Sequence, residues 1–341
     1  MNGFFQVRRK MRTSVLIPSY GRPSSLDRCL RSLNRQRVAP DEVIVVWQSD
    51  DTVTKDAAQS FAHEMQCALR IVHCPIRGIV PAENAALHLA SGEILLFIDD
   101  DAVAGPEWVA RHLAHFDDGT VGAVGAPVRN YRPDGQLYSI RRPMRVGRLM
   151  PCGRLIGELF DHPPEWRTRS PIQVDHLAAG NMSFRRAAFV SCESALQPYW
   201  QSFELDLCLQ VRACGLKILF DFANVIDHYP TNPIFARDRS GDLHLKVLHP
   251  AYNHALILAK HSRWPLRTLR LLYLLLVGSL TSPGVVGFCI AVCRFRSFAR
   301  EFSILCQTLH CHLAGWVKGS SLRETNKSIS LRSPAGSRVS A

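Results

Sequence analysis

The chain has 341 residues, 47% of them hydrophobic and 21% charged, a balance that excludes a disordered or fibrous polypeptide and predicts a packed core. Lysine and arginine outnumber aspartate and glutamate by 41 to 29, which points to an anionic partner: nucleotide phosphates, nucleic acid or an anionic membrane face. The 11 cysteines include no Cys-x-x-Cys pair, which argues against a zinc ribbon or a thioredoxin-like motif and suits a reducing compartment.

Met1 to Arg12 has no long apolar core, so no secretory signal is expected there. Thr13 to Ile17 reads as a β-branched strand broken by Pro18-Ser19-Tyr20-Gly21-Arg22-Pro23. Leu26, Cys29, Leu30 and Leu33 then recur at helical spacing. A second strand, Val43 to Val46, opens into Trp47-Gln48-Ser49-Asp50-Asp51, and a polar helix follows over Thr54 to Met65. Leu69 to Val72 is a third strand, and the loop Pro75 to Pro81 leads into a helix from Ala82 to Ala90.

The next stretch is Gly92-Glu93-Ile94-Leu95-Leu96-Phe97-Ile98-Asp99-Asp100-Asp101. Five large apolar residues after a glycine predict a strand buried on both faces. Three carboxylates at its end repel one another unless a cation sits there. Ligands of α/β sheets gather at the carboxyl ends of strands, and hard cations such as Mg²⁺ or Mn²⁺ take carboxylate oxygens while leaving room for phosphates. A helix from Pro106 to Phe116 and a strand from Val121 to Val128 continue the alternation. The pattern predicts an α/β fold with a mostly parallel sheet flanked by helices.

From Arg129 to Ser170 the pattern dissolves into Arg, Pro and Gly, and it returns at Val174 to Arg186. Tyr199-Trp200-Gln201-Ser202 opens a helix that runs to Cys214 and bears Glu204 and Asp206 in its first turn. Lys217 to Phe222 is one more strand, trailed by Val225 to His228. No Asp or Glu occurs from Leu243 to Arg300, while Lys246, Lys260, Arg263, Arg267, Arg270, Arg294, Arg296 and Arg300 do. The uncharged run Leu271 to Cys293 is long enough to span a bilayer, but Pro283-Gly284 in its middle leaves a broken, re-entrant or interfacial helix pair equally open. The basic flanks suit an anionic cytoplasmic leaflet. From Lys318 the tail is Ser- and Arg-rich and is expected to be disordered.

Together these motifs resemble the family 2 glycosyltransferases, inverting enzymes of the GT-A fold, over Thr13 to His228. Asp99-Asp100-Asp101 is similar to the family's Asp-x-Asp signature, which implies Asp101 and Asp99 at a Mg²⁺ or Mn²⁺ ion, with His228 as a further metal or diphosphate contact. The resemblance places Pro18, Ser19, Tyr20, Arg22, Asp50, Asp51, Arg77, Gly78, Asn84, Asp99 and Asp100 at a nucleoside-diphosphate sugar. It places Gly180, Asn181, Arg185 and Arg186 on the acceptor side, and Glu204 as the catalytic base with Asp206 as its alternative. Three positions depart from the pattern. Trp47 to Asp51 stands for Asp-Asp-Gly-Ser, Glu83 for an Arg, and Phe203-Glu204 for Glu-Asp. Arg263-Trp264 lacks the Gln of processive synthases, which favours single-sugar transfer.

The expected organisation is a tail (1–12), a transferase domain (13–240, divided at 128/129 into donor and acceptor halves), a membrane-associated helical region (241–300) and a C-terminal tail (301–341). The expected location is the cytoplasmic face of a membrane, either peripheral or held by a C-terminal helix. The expected acceptor is a glycan or a lipid-linked glycan. A nucleotidyltransferase-like enzyme and a catalytically silent nucleotide-sugar-binding scaffold are the alternatives. No nucleic-acid partner is expected, because much of the excess charge flanks an apolar run.

Overall fold

A computed structural model describes residues 11–332 except 133, 138–143, 158, 161, 198–201, 231–246, 280–281 and 295–296. The turn Tyr199-Trp200-Gln201, Lys246, Arg296 and residues 333–341 therefore lie outside the description. The chain forms two compact units. The first is Met1–Arg148, Ile156–Ser194 and Phe203–Arg237; the second is Leu149–Leu155, Ala195–Ser202 and Asp238–Ala341.

The first unit opens with β1 (Thr13–Ser19), α1 (Pro23–Asn34), β2 (Glu42–Gln48), α2 (Thr52–Phe61), β3 (Ala68–Cys74), α3 (Ile79–Leu89) and β4 (Ile94–Ile98). Then come β5 (Ala102–Ala104), α4 (Trp108–His115), β6 (Val121–Gly125) and β7 (Val128–Asn130); the short β8 (Arg148–Leu149) and β9 (Leu155–Ile156), which pair with each other, lie where the chain leaves this unit and re-enters it. The unit ends with β10 (Ile172–Gln173), β11 (Asn181–Arg185), α5 (Phe203–Ala213), β12 (Lys217–Phe220) and β13 (Ile226–His228).

The main sheet has 8 strands in the order β10-β12-β6-β11-β4-β1-β2-β3. Only β10 and β11 run against the rest, so the sheet is mostly parallel, as the alternating pattern predicts. Its centre is apolar because β1 and β4 are buried along their whole length. Leu26, Cys29, Leu30 and Leu33 of α1 supply the opposing stripe.

A second, 3-stranded sheet has the order β5-β13-β7. The expected strand Val121 to Val128 is split between the two sheets, β6 in one and β7 in the other.

The second unit contains α6 (His249–His261), α7 (Leu266–Leu276), α8 (Val285–Cys293) and α9 (Phe298–Arg332). The apolar run thus divides into α7 and α8, with Gly278 to Gly284 between them. Among the described residues no helix is long and apolar enough to cross a membrane. Helix α9 continues to Arg332, where composition alone predicts a disordered tail from Lys318. It lies against α6 at very close range: a Cβ on Gly315 would stand 2.2 Å from the Tyr252 carbonyl oxygen, and one on Gly319 2.1 Å from that of Leu256. Buried Leu305, Thr308, His312 and Trp316 lie on the same side of α9, three or four residues apart.

Candidate active site

The three acids stand where β4 ends, between β1 and β11. Asp100 is fully buried. The Ser19 hydroxyl, carried on β1, donates to its Oδ2 at 2.6 Å. Arg22, in the loop after β1, puts one guanidinium nitrogen 2.8 Å from Asp100 Oδ1 and donates from the other to Asp101 Oδ2. Burial pushes the Asp100 carboxyl up, against the pull of Arg22. Asp101 is held low, because hydrogen bonds and charge from His228 and Arg22 outweigh its burial.

His228 arrives through the second sheet. It pairs with Ala102 on one side and Asn130 on the other. Its Nε2 is 2.9 Å from Asp101 Oδ1 and its Nδ1 is 2.7 Å from Asn130 Oδ1. Burial alone would lower its pKa, but the bond to Asp101 and the charges of Asp101 and Asp99 raise it.

Asp99, Asp101 and His228 each offer a ligand atom within 4.8 Å of the others. Two carboxylates and an imidazole fit a Mn²⁺ or Mg²⁺ ion, and Arg22 already shows that the acids recruit positive charge. Gly180 has φ +91°, and a Cβ there would lie 2.7 Å from Asp99 Oδ2, so glycine is what lets the chain pass this carboxylate. One residue earlier, the Ala179 N–H donates to Glu204 Oε1 at 3.3 Å. Asp99 and Glu204 therefore flank the same turn. Glu204 is buried in the first turn of α5. Asp206 is fully buried, and its Oδ2 accepts from the Glu193 N–H at 3.2 Å and from Gln210 Nε2 at 2.9 Å, so it fastens the loop beside α5.

On the nucleotide side, Pro18 is buried within β1, while the Arg77 guanidinium lies over the Tyr20 ring at 4.5 Å. Gly78 starts α3, and its N–H donates to Gln48 Oε1 at 2.7 Å. Gln48 Nε2 in turn donates to the Ser19 carbonyl at 3.3 Å. Asp51 caps α2, accepting from Thr54 N–H at 3.2 Å, and also accepts from Gly21 N–H at 2.6 Å. Asp50 is exposed. Trp47 stacks on His73 with ring centroids 4.0 Å apart. Asn84 is committed in both directions to the Cys192 backbone, donating at 3.0 Å and accepting at 2.9 Å.

The acceptor-side set separates. Because β11 runs antiparallel to β4, Asn181 pairs with Ile98 but Arg185 pairs with Ile94, at the opposite end of the strand. Arg185 donates to the Val121 and Phe116 carbonyls, and Arg186 donates to those of Leu87 and Ala90. Both arginines tie backbone together about 13 Å along the strand from the acids. Asn181 is a buried hub, accepting from Trp108 Nε1 at 2.8 Å and donating to the Pro127 and Asn224 carbonyls.

Residues absent from the expected site are Gln48, Asn130 and Tyr229. Tyr229 stacks on Tyr131 at 4.6 Å, and its N–H donates to the Asp101 carbonyl at 2.9 Å. Glu83, noted only as a departure from a motif, is buried with Oε2 lacking a hydrogen-bond partner. Burial, reinforced by Asp99 and Glu204, holds its pKa well above the carboxylate range. A sequence signal for it existed: it is the one acid within the apolar stretch Ile79 to Leu89.

The Glycosyl transferase family 2 profile matches residues 14–189. Over 103 residues the chain is 34% identical to the validoxylamine A glucosyltransferase of Streptomyces hygroscopicus subsp. limoneus, a stretch that makes up 30% of this chain and 23% of that protein. The chain thus spans about a quarter of that relative's length. Among solved structures, the mannosyltransferase PcManGT of Pyrobaculum calidifontis, in complex with GDP-Man and Mn²⁺, superposes with a TM-score of 0.56 at 17% identity, covering 95% of this chain and 87% of that one. S. aureus TarS 1-349, in complex with UDP-GlcNAc, gives a TM-score of 0.56 at 14% identity, covering 93% of this chain and 92% of that one. At such identities the likeness shows the fold, GT-A, and the family match extends over half of the chain. The chain belongs to glycosyl transferase family 2.

Proposed function

We propose that the chain transfers a single sugar, with inversion, from a nucleoside-diphosphate sugar to a hydroxyl of a glycan or lipid-linked acceptor. The observation that carries this is the convergence of Asp99, Asp101 and His228 within 4.8 Å, with Glu204 across the turn at Ala179-Gly180. Asp99, Asp101 and His228 would hold Mn²⁺ or Mg²⁺, which supplies charge neutralisation to a leaving diphosphate. The complexes of PcManGT with GDP-Man and Mn²⁺ and of TarS with UDP-GlcNAc support a nucleotide sugar as donor.

In this reading Glu204 accepts the proton of the acceptor hydroxyl. The hydroxyl oxygen bonds to the anomeric carbon, the bond from that carbon to the diphosphate oxygen breaks, and the electron pair leaves with the diphosphate. Arg22 keeps Asp100 and Asp101 oriented, and Asn130 orients the His228 ring. Tyr20, Arg77 and Trp47 stand at the strand ends where a nucleotide would lie. Arg and Tyr faces suit a base or diphosphate. The basic, acid-free region from Leu243 to Arg300 supports peripheral attachment to an anionic membrane surface.

The test is a thermal-shift screen against UDP-, GDP-, dTDP- and CMP-sugars, each with and without Mn²⁺. One nucleotide class should raise the melting temperature, and the rise should need the ion and vanish in Asp101→Asn. Glu204→Gln should keep that shift yet lower kcat about 10²–10⁴-fold, the usual worth of a general base. Normal turnover in that variant would remove Glu204 from the role.

A further inference from the structure

The second unit contains a cavity of about 500 Å³, within the size range of built ligand pockets. Its walls include Leu274, Val277, Val286 and Ile290. Two histidines also line it, and both are neutral. His254 Nε2 lies 2.9 Å from the Gly153 carbonyl, His312 Nδ1 lies 3.2 Å from that of Ala251, and burial lowers each pKa to about 4. Among the described residues the one permanently charged lining residue is Arg154, which is exposed and so stands at the opening. An apolar interior with neutral polar groups and a cation at its mouth matches an amphiphile with an anionic head.

The outside of the same helices is also apolar. Leu269, Leu272 and Leu276 of α7, none of which lines the cavity, are 45%, 50% and 50% exposed. Phe298 and Phe302 of α9 are 59% and 49% exposed and stack on each other with centroids 5.8 Å apart. Exposed apolar patches on this scale mark an interaction surface. Lys260, Arg263, Arg267 and Arg294 accompany them, and no acid occurs from Leu243 to Arg300. A second copy of the chain would bring like charges together across a two-fold interface. An anionic lipid surface complements them.

We propose that this cavity seats one hydrocarbon chain of an anionic membrane phospholipid, with Arg154 at the lipid phosphate. The inference rests on the membrane-surface part of the proposed function and adds to it a defined lipid site.

The probe is lyso-phosphatidylglycerol below its micelle concentration, titrated calorimetrically into the full chain with lyso-phosphatidylcholine as the neutral-head control. The expected result is saturable 1:1 binding of the anionic lipid, about tenfold weaker in Arg154→Glu and lost in both Val286→Trp and Ile290→Trp, which fill the cavity. Phe302→Ser should weaken sedimentation with phosphatidylglycerol vesicles but leave the titration unchanged. Absence of saturable binding, equal binding of the two lysolipids, or unchanged binding in both tryptophan variants overturns the proposal. So does a lipid-insensitive dimer that covers the face. The Mn²⁺-dependent nucleotide-sugar shift, read on the same samples, separates the two readings. Its absence with lipid binding intact overturns the transferase reading alone, and its retention in variants whose lipid binding matches the wild type overturns the lipid site alone.

Discussion

At Glu83 a carboxyl is buried beside Asp99 and Glu204 with one oxygen lacking a hydrogen-bond partner. Its folded pKa lies above its unfolded value, so the unfolded chain gives up the proton more readily as pH rises past the ordinary carboxylate range. Folding is then opposed more strongly with each step in pH until the folded group also titrates. Glu83→Gln removes that opposition. The variant's melting temperature should exceed the wild type's by a margin that widens between pH 5 and pH 8, reaching several degrees at about 2–4 °C per kcal/mol. A margin that stays constant or reverses would show that Glu83 is not held neutral.

Two element contacts make separate predictions. Glu42 of β2 gathers the starts of several strands. It accepts from the Ser14 hydroxyl at 2.6 Å, from the Ser91 N–H at 2.7 Å and from Arg70 at 3.2 Å. Burial would raise its pKa, yet these bonds lower it from 4.5 to about 2. The stabilisation is therefore complete above pH 4.5 and is lost as pH falls toward 2. At neutral pH it is worth about 3 kcal/mol by linkage. Glu42→Gln should lose stability of that order at pH 7 and flatten the acid limb of the stability curve, as read by urea unfolding at pH 7 and pH 3. Between α6 and α9 the contact is backbone against backbone. Gly319→Val must push the helices apart and should cost about 2–3 kcal/mol, seen as a lower urea midpoint. Gly319→Ala should cost less, and an unchanged midpoint in both would mean the helices do not meet there.

Across the whole molecule the excess of lysine and arginine is +12. Attachment to phosphatidylglycerol vesicles should therefore weaken steeply as salt rises, because exposed charges are screened beyond about 10 Å at 0.1 M. Salt-independent sedimentation would assign the attachment to apolar contact alone. The strand-helix alternation and the acids at the end of β4 were readable from sequence because periodicity and burial are local. The partners of Arg185 and Arg186 were not, since they depend on β11 running backwards in the sheet, a property of pairing that no local pattern records. The continuation of α9 past Lys318 was hidden by its polar composition, although Gly315 and Gly319, four residues apart, mark the face where it meets α6. Asn84, expected in the first turn of a helix from Ala82, lies in the middle of α3 because that helix begins at Ile79, and only the fold shows that its amide is taken up by the Cys192 backbone.

The second sheet sets a timetable. Asp99 and Asp101 emerge in the first third of the chain, whereas His228 reaches them only when β13 slots between β5 and β7. A nascent polypeptide on the ribosome would therefore carry the acids, steadied by Arg22, long before His228 is translated. On the proposed function, occupancy by the ion would report that synthesis of the whole transferase unit is finished, and fragments ending before Ile226 would lack His228 and bind the ion more weakly.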